Sequence, residues 1–78
     1  MAKYVLDANG SREPVVIRRD GKQLFSGTYR ECKEFVAARF VLGDTLEEWF
    51  YGELTMTHAS KEVLESAVAH YRREKERA

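Results

Sequence analysis

The hydrophobic and polar positions at the start of the chain follow the pattern of β-strands. Val15–Arg19 is the clearest strand, rich in β-branched residues, and the Asp-Gly pair at 20–21 accepts the positive φ angles of a two-residue hairpin turn. That turn places Val16 opposite Phe25 in the next strand. A shorter apolar run near the N-terminus adds one more strand. We therefore predict a three-stranded antiparallel β-meander over residues 3–26.

The spacing of apolar residues becomes helical from residue 28 onward. Thr28 and Glu31 have the spacing of a capping box, and Asp44 and Glu47 repeat it. Helices are predicted at about 28–42, 44–52 and 58–73, with a frayed tail at 74–78. Thr55, Thr57 and Ser60 compete to cap the last helix. The predicted fold is a single α+β domain over residues 1–78, in which three helices pack on one face of the meander (βββααα).

Three consecutive aromatic residues, Trp49, Phe50 and Tyr51, lie in the predicted middle helix. Neighbouring helical residues point about 100° apart, so the three rings cannot all face the core. Trp49 and Phe50 fit the core face, whereas Tyr51 lies with Glu47 and Glu48 on other faces. Tyr and Trp often anchor protein interfaces. We therefore predict a contact patch of Trp49, Tyr51, Glu47 and Glu48, against the alternative that the rings only pack and the acids are solvated.

A second, more basic patch is predicted on the face of the sheet that the helices leave open. Arg18, Arg19 and Lys22 lie around the hairpin turn, and Tyr4 is expected beside them. The alternative is that these are ordinary solvated strand positions. Neither patch contains a nucleophile with an adjacent base, as covalent catalysis would require. We therefore interpret both as contact surfaces for a macromolecule.

The chain of 78 residues has no net charge, but its charges are unevenly placed. Residues 1–43 contain eight basic and five acidic residues, residues 44–66 one basic and six acidic, and residues 67–78 four basic and two acidic. No basic face of the kind expected for non-specific nucleic-acid binding is visible. The acidic middle favours a basic protein surface as the partner.

The candidate catalytic residues are few. One cysteine cannot form an internal disulfide, and with two histidines it makes no convincing zinc set. Cys32 falls on the apolar stripe of a helix and is predicted to be a buried structural thiol. His58 and His70 have no partners suited to catalysis. We expect no enzyme activity, no cofactor and no metal.

The chain begins without the long apolar run of a signal peptide, and no stretch reaches transmembrane length. We expect a cytoplasmic protein without a membrane partner. In the case of a phage-encoded protein, this is the cytoplasm of the host.

The segment LEEWFYG at residues 46–52 resembles the corresponding segment of phage-encoded type I-F anti-CRISPR inhibitors. The resemblance continues in the last helix, at LESAV and RRE, and covers about the last third of the chain. Such inhibitors have a small sheet with two helices and bind backbone subunits of the CRISPR surveillance complex, with their binding residues on the sheet. The resemblance implies a small non-catalytic inhibitor of a host defence complex. No binding residue carries over, because the two sheets differ in sequence.

Residues 15–54 resemble small phage proteins with a β-hairpin and a helix-turn-helix-like pair of helices. This resemblance implies a DNA-binding transcriptional regulator as the alternative function. The predicted reading helix, 44–52, opposes it, because it carries acidic residues and no basic ones. We therefore expect a host protein or ribonucleoprotein complex as the partner, with direct nucleic-acid contact disfavoured. A third hypothesis is a homodimer that forms through the open sheet face.

Overall fold

The computed structural model describes residues 1–10 and 13–77, the last four of these by their backbone alone. It contains five strands and two helices in this part of the chain. These are β1 (Lys3–Ala8), β2 (Val15–Arg19), β3 (Lys22–Gly27), α1 (Tyr29–Arg39), β4 (Thr45–Phe50), β5 (Glu53–His58) and α2 (Lys61–Arg77). The strands form one mixed sheet in the order β3-β2-β1-β4-β5. The predicted fold, a three-stranded meander followed by three helices, is therefore wrong, although the protein is an α+β domain.

The largest error concerns residues 44–52, predicted as a helix and observed as strand β4 with its turn. β4 pairs in parallel with β1, with Asp7 opposite Trp49, while all other strand pairs are antiparallel. Thr, Trp and Phe favour strands, and the residues of β4 alternate between the two faces of the sheet. The sequence does not show this alternation of buried and exposed positions, because the two buried residues are Leu46 and Glu48. A glutamate is normally expected in solvent.

Asp44 was predicted to cap a helix, and it does not. Its carboxylate accepts hydrogen bonds from the backbone N–H of Ala2 at 2.8 Å and of Val41 at 3.0 Å. The side chain is 3% exposed, and the two bonds hold the loop before β4 against the start of the chain. These bonds also hold the pKa of Asp44 below its usual value.

The C-terminal part differs from the prediction in the same way. Thr55 and Thr57, expected as helix caps, lie within β5. Ser60 does take the capping position, since its Oγ accepts a hydrogen bond from the N–H of Val63 at 3.3 Å. Helix α2 begins after the predicted start at residue 58 and continues to Arg77 through residues predicted to fray. Ala78 lies outside the described residues.

The hairpin between β2 and β3 has the predicted turn but not the predicted register. Asp20 and Gly21 have φ angles of 52° and 84°, as the two-residue turn requires. An irregularity after Ile17 shifts the pairing, so that Phe25 lies opposite Ile17 instead of Val16. The shift turns Phe25 towards the helices, where its ring stacks on Phe35 with centroids 4.7 Å apart.

Both helices pack on one face of the sheet and enclose a single core. The capping box of Thr28 and Glu31 is confirmed, and Cys32, predicted on the apolar stripe of this helix, is buried together with Val36. Helix α1 ends at Arg39, short of the predicted residue 42, because Phe40 is extended. The other face of the sheet is covered by neither helix, and this difference between the faces positions the candidate site.

Candidate functional site

The face of the sheet opposite the helices, here called the open face, carries a mixed set of polar and apolar side chains. Its residues alternate along each strand with the buried ones and lie side by side across three strands. The open face consists of Val5, Asp7, Val16, Arg18, Glu47 and Trp49. All six are partly exposed, so they form a surface and not a second core.

Trp49 is the largest side chain of the open face, and its ring is held in place. The indole Nε1–H donates to Glu47 Oε1 at 3.1 Å, and the other carboxylate oxygen of Glu47 lies 3.2 Å from Lys3 Nζ. The hydrogen bond from Trp49 and the charge of Lys3 lower the pKa of Glu47, so the carboxylate stays ionised at neutral pH. Leu54 lies opposite Trp49 on β5 and is 48% exposed, which extends the apolar surface to the edge of the sheet.

The basic part of the open face is joined to its aromatic part. Arg18 Nη1 lies 2.9 Å from Asp7 Oδ2, and Asp7 is the strand neighbour of Trp49. The structure therefore brings Arg18, Glu47 and Trp49, which were predicted in two separate patches, onto one surface. Val5 and Val16 lie between them and supply apolar area.

Tyr51 lies at the end of β4 in the turn that leads to β5. Its side chain is 73% exposed, and its φ angle of 52° is in the left-handed region that disfavours residues other than Gly, Asn and Asp. Such a conformation costs about 1–2 kcal/mol, and an exposed ring does not offset it by packing. Strain of this kind is found at functional sites more often than elsewhere.

The remaining predicted site residues are not part of the open face. Arg19 and Lys22 are exposed beside the β2–β3 turn, at one end of the sheet. Tyr4, expected on the open face, is 2% exposed and lies in the core against Phe40. Glu48 is 2% exposed and points towards the helices. The prediction that Glu48 joins Trp49 and Tyr51 in one contact patch is therefore wrong.

Glu48 instead forms the centre of a buried polar cluster that sequence reasoning missed. Its Oε1 accepts a hydrogen bond from the Tyr29 hydroxyl at 2.6 Å, and its Oε2 contacts both Lys33 Nζ, at 3.1 Å, and His58 Nε2. Lys33 also donates to the Tyr29 hydroxyl at 3.2 Å. Lys33 is 4% exposed, although lysine side chains are mostly exposed in folded proteins. The one signal for this cluster in the sequence is the two-residue spacing of Leu46 and Glu48, which puts both on the same face of a strand.

The cluster neutralises its own charges. Burial raises the pKa of Glu48, but the hydrogen bonds from Tyr29 and His58 and the charge of Lys33 outweigh burial and hold it below its usual value. Burial, followed by the bond to Glu48, raises the pKa of Tyr29, so its hydroxyl stays protonated and donates. Within the described part of the chain, every buried side-chain nitrogen and oxygen has a hydrogen-bond partner.

The buried polar cluster holds α1, β4 and β5 together and is closed to a substrate. Although Glu48 and His58 form a carboxylate–imidazole pair, both are less than a tenth exposed and a substrate cannot reach them. The thiol of Cys32 is fully buried, as predicted, and donates to the carbonyl of Val15 at 3.3 Å. Burial raises the pKa of this thiol to about 11, so it is unreactive at neutral pH.

Among residues 1–10 and 13–77, no group of three or more His, Cys, Asp or Glu side chains could hold a metal ion. No helix in this part of the chain is long and apolar enough to cross a membrane. Comparisons with protein-family models, curated proteins and solved structures found no match for this chain.

Proposed function

We propose that this chain is a small non-catalytic protein whose open face binds a host protein or ribonucleoprotein complex. The observation that carries the proposal is the partly exposed Trp49, held by Glu47 on a sheet face that neither helix covers. Trp is the residue most enriched at binding hot spots, and a fixed ring loses little entropy on binding. The strained, exposed Tyr51 at the end of the same strand adds a second aromatic contact.

The partner we propose is a host defence complex of the CRISPR–Cas type, with the chain acting as a phage-encoded inhibitor. The support is the likeness of residues 46–52 to the type I-F inhibitors, whose binding residues lie on a sheet. In this chain the same segment supplies β4, two of whose residues, Glu47 and Trp49, belong to the open face. On the open face, the carboxylates of Asp7 and Glu47 are suited to contact with a basic surface of the kind that binds a guide RNA.

The alternative function, a DNA-binding transcriptional regulator, lacks the element on which it depended. The reading helix expected at 44–52 is strand β4, and its exposed face carries Glu47 and Trp49 without an arginine or lysine. Titration of labelled duplex DNA at low salt, read by fluorescence anisotropy, distinguishes the two functions. We expect no binding in the micromolar range.

The proposed function is tested with a purified type I-F surveillance complex loaded with its guide RNA. The chain should bind this complex, should prevent the pairing of guide RNA with target DNA, and should bind more weakly as salt is raised. A chain that leaves target pairing unchanged at saturating concentration would contradict the inhibitor role.

A further inference from the structure

The outer edge of β5 is a free sheet edge in the described part of the chain, although the strand has an irregularity where Leu54 pairs with Trp49. β5 is the last strand of the sheet, so one edge of its backbone pairs with no strand in the described part of the chain. All residues from Glu53 to Thr57 are exposed, and the strand contains no Lys, Arg or Pro. Natural proteins usually protect a free edge with such residues, because unpaired N–H and C=O groups recruit another strand. At the opposite edge, β3 begins with Lys22 beside Arg19.

Apolar side chains border this edge on both faces of the sheet. Leu54 lies on the open face opposite Trp49, whereas Met56 lies opposite Glu48 and therefore on the helix side. The two side chains are 48% and 52% exposed. A six-residue strand with one exposed apolar side chain on each face is suited to pairing with a further strand that covers both.

Helix α2 extends the same surface. It packs against β5 on the sheet and against α1 beside it, with Ala69 facing Ala38 across a shared groove. Val63 and Ala67 lie one turn apart on the side of α2 that faces away from α1, towards the free edge. Val63 is 61% exposed. Leu54, Met56, Val63 and Ala67, with the free backbone of β5, are here called the edge strip.

We propose that the edge strip is the two-fold interface of a homodimer, in which the β5 strands of two copies pair antiparallel and their α2 helices meet. The charge pattern fits a second copy. Glu53, at the first position of β5, is the strand's one Asp, Glu, Lys or Arg, and the other end of the strand is the buried His58. Antiparallel pairing puts the two Glu53 side chains at opposite ends of the interface. Val63 and Ala67 bring no charge, so two identical strips meet without repulsion.

The area of the interface and its closed symmetry also favour a second copy of this chain as the partner. A stable interface buries about 800 Å² on each partner, more than one strand edge supplies, and the flank of α2 provides the additional apolar area. Pairing of β5 with β3 of another copy is head-to-tail and leads to a larger ring or a filament, whereas pairing of β5 with β5 closes at two copies. The dimer would join two open faces into one sheet with two copies of Trp49.

The test is sedimentation of the full chain from low micromolar to several hundred micromolar concentration. We expect a reversible dimer, and Met56→Glu or Val63→Glu should raise the dissociation constant about tenfold or more, because each buries an unpaired carboxylate. Leu24→Glu on β3 is the matched control and should leave the dimer intact. A monomer at every concentration, or a dimer that only Leu24→Glu weakens, would overturn the proposal.

Cysteine cross-linking provides a second readout that does not depend on a destabilising charge. Near a two-fold axis the two Met56 side chains come together, so Met56→Cys should form a covalent dimer on mild oxidation, whereas Leu24→Cys should not. The native Cys32 does not interfere, because it is fully buried. Equal cross-linking of the two variants, or none of Met56→Cys, would contradict a β5 interface.

Discussion

At the scale of single residues, the buried contacts of Glu48 tie α1 to both C-terminal strands. Tyr29 and Lys33 of α1 and His58 of β5 all meet this one carboxylate. Removing one member of a buried ionic group leaves the other charges unpaired, and this costs more than the group contributes in net stability. The cluster thus links α1, which packs on β1, β2 and β3, to the neighbouring strands β4 and β5 through buried polar contacts.

Glu48→Gln should lower the free energy of unfolding by about 3 kcal/mol, because Lys33 keeps a buried charge without its partner. Urea unfolding followed by circular dichroism measures the change. The matched control is Glu47→Gln on the neighbouring position of the open face, where the ion pair with Lys3 is solvated and the loss should stay below about 1 kcal/mol. Equal losses for the two variants would contradict a special role of the cluster.

The same carboxylate predicts a pH dependence of stability. The pKa of Glu48 is lower in the folded than in the unfolded state, so the unfolded state binds more protons and stability rises with pH. The contribution is complete above the unfolded value of about 4.3 and is lost as pH falls through the lower folded value. Urea unfolding from pH 7 down to pH 3 should show this loss, and Glu48→Gln should show less of it. Asp44, whose pKa is also lowered, supplies part of the remainder.

Tyr51 provides a test of strain at a single position. Tyr51→Asn should raise the free energy of unfolding by about 1 kcal/mol, since Asn accepts the left-handed φ that Tyr resists. The same substitution should weaken binding of the proposed partner by about 2 kcal/mol or more, since the exposed ring is lost. Asp20→Asn at the equivalent position of the other hairpin, also at φ 52°, is the control and should change stability little. No stabilisation in Tyr51→Asn would argue against strain there.

At the scale of elements, helix α1 depends on its capping box. The Thr28 hydroxyl accepts from the Glu31 N–H at 3.2 Å, and the Glu31 carboxylate accepts from the Thr28 N–H at 2.9 Å. Thr28→Ala should therefore cost about 1 kcal/mol of unfolding free energy. Ser66→Ala, at an exposed position inside α2, should have little effect or be slightly stabilising. Thermal unfolding distinguishes the two variants, and a neutral Thr28→Ala would contradict the role of the cap.

The elements show what the sequence could and could not predict. The β2–β3 hairpin and the start of α1 followed from local chemistry, namely the Asp-Gly turn and the capping box. β4 did not, because it exists through parallel pairing with β1, far away in the chain, and tertiary contacts override local propensity. Glu47 and Glu48 were both expected in solvent, yet adjacent strand residues point to opposite faces. β5 was also not predicted, because its residues Thr55 and Thr57 were interpreted as caps of the last helix.

Part of the candidate site was predicted from the sequence. Trp49, Glu47 and Arg18 were predicted as contact residues, and they lie together because alternation places them on one face of neighbouring strands. Glu48 was assigned to the wrong surface, because its burial depends on Lys33 and His58, which reach it only in the folded sheet. Whether the open face binds a partner stays a prediction.

At the scale of the whole molecule, the two helices leave one face of a five-stranded sheet uncovered. A sheet of this size with a core on one side only can present rigid strands to a partner, which positions contact residues better than loops do. The open face and the edge strip share Leu54, which lies opposite Trp49, whereas their other residues differ. Loss of the dimer through Val63→Glu, which changes a residue of α2 and not of the open face, should therefore leave the intrinsic affinity of each open face unchanged.

The central claim is that the open face is the binding surface, and affinity for the purified type I-F surveillance complex tests it most directly. Trp49→Ala, checked for folding by circular dichroism, should weaken binding by about 2 kcal/mol or more, roughly thirtyfold. Leu42→Ala, which removes a side chain 98% exposed in the loop before β4, should bind like the wild type. A folded Trp49→Ala variant that binds as tightly as the wild type would show that the open face is not the binding surface.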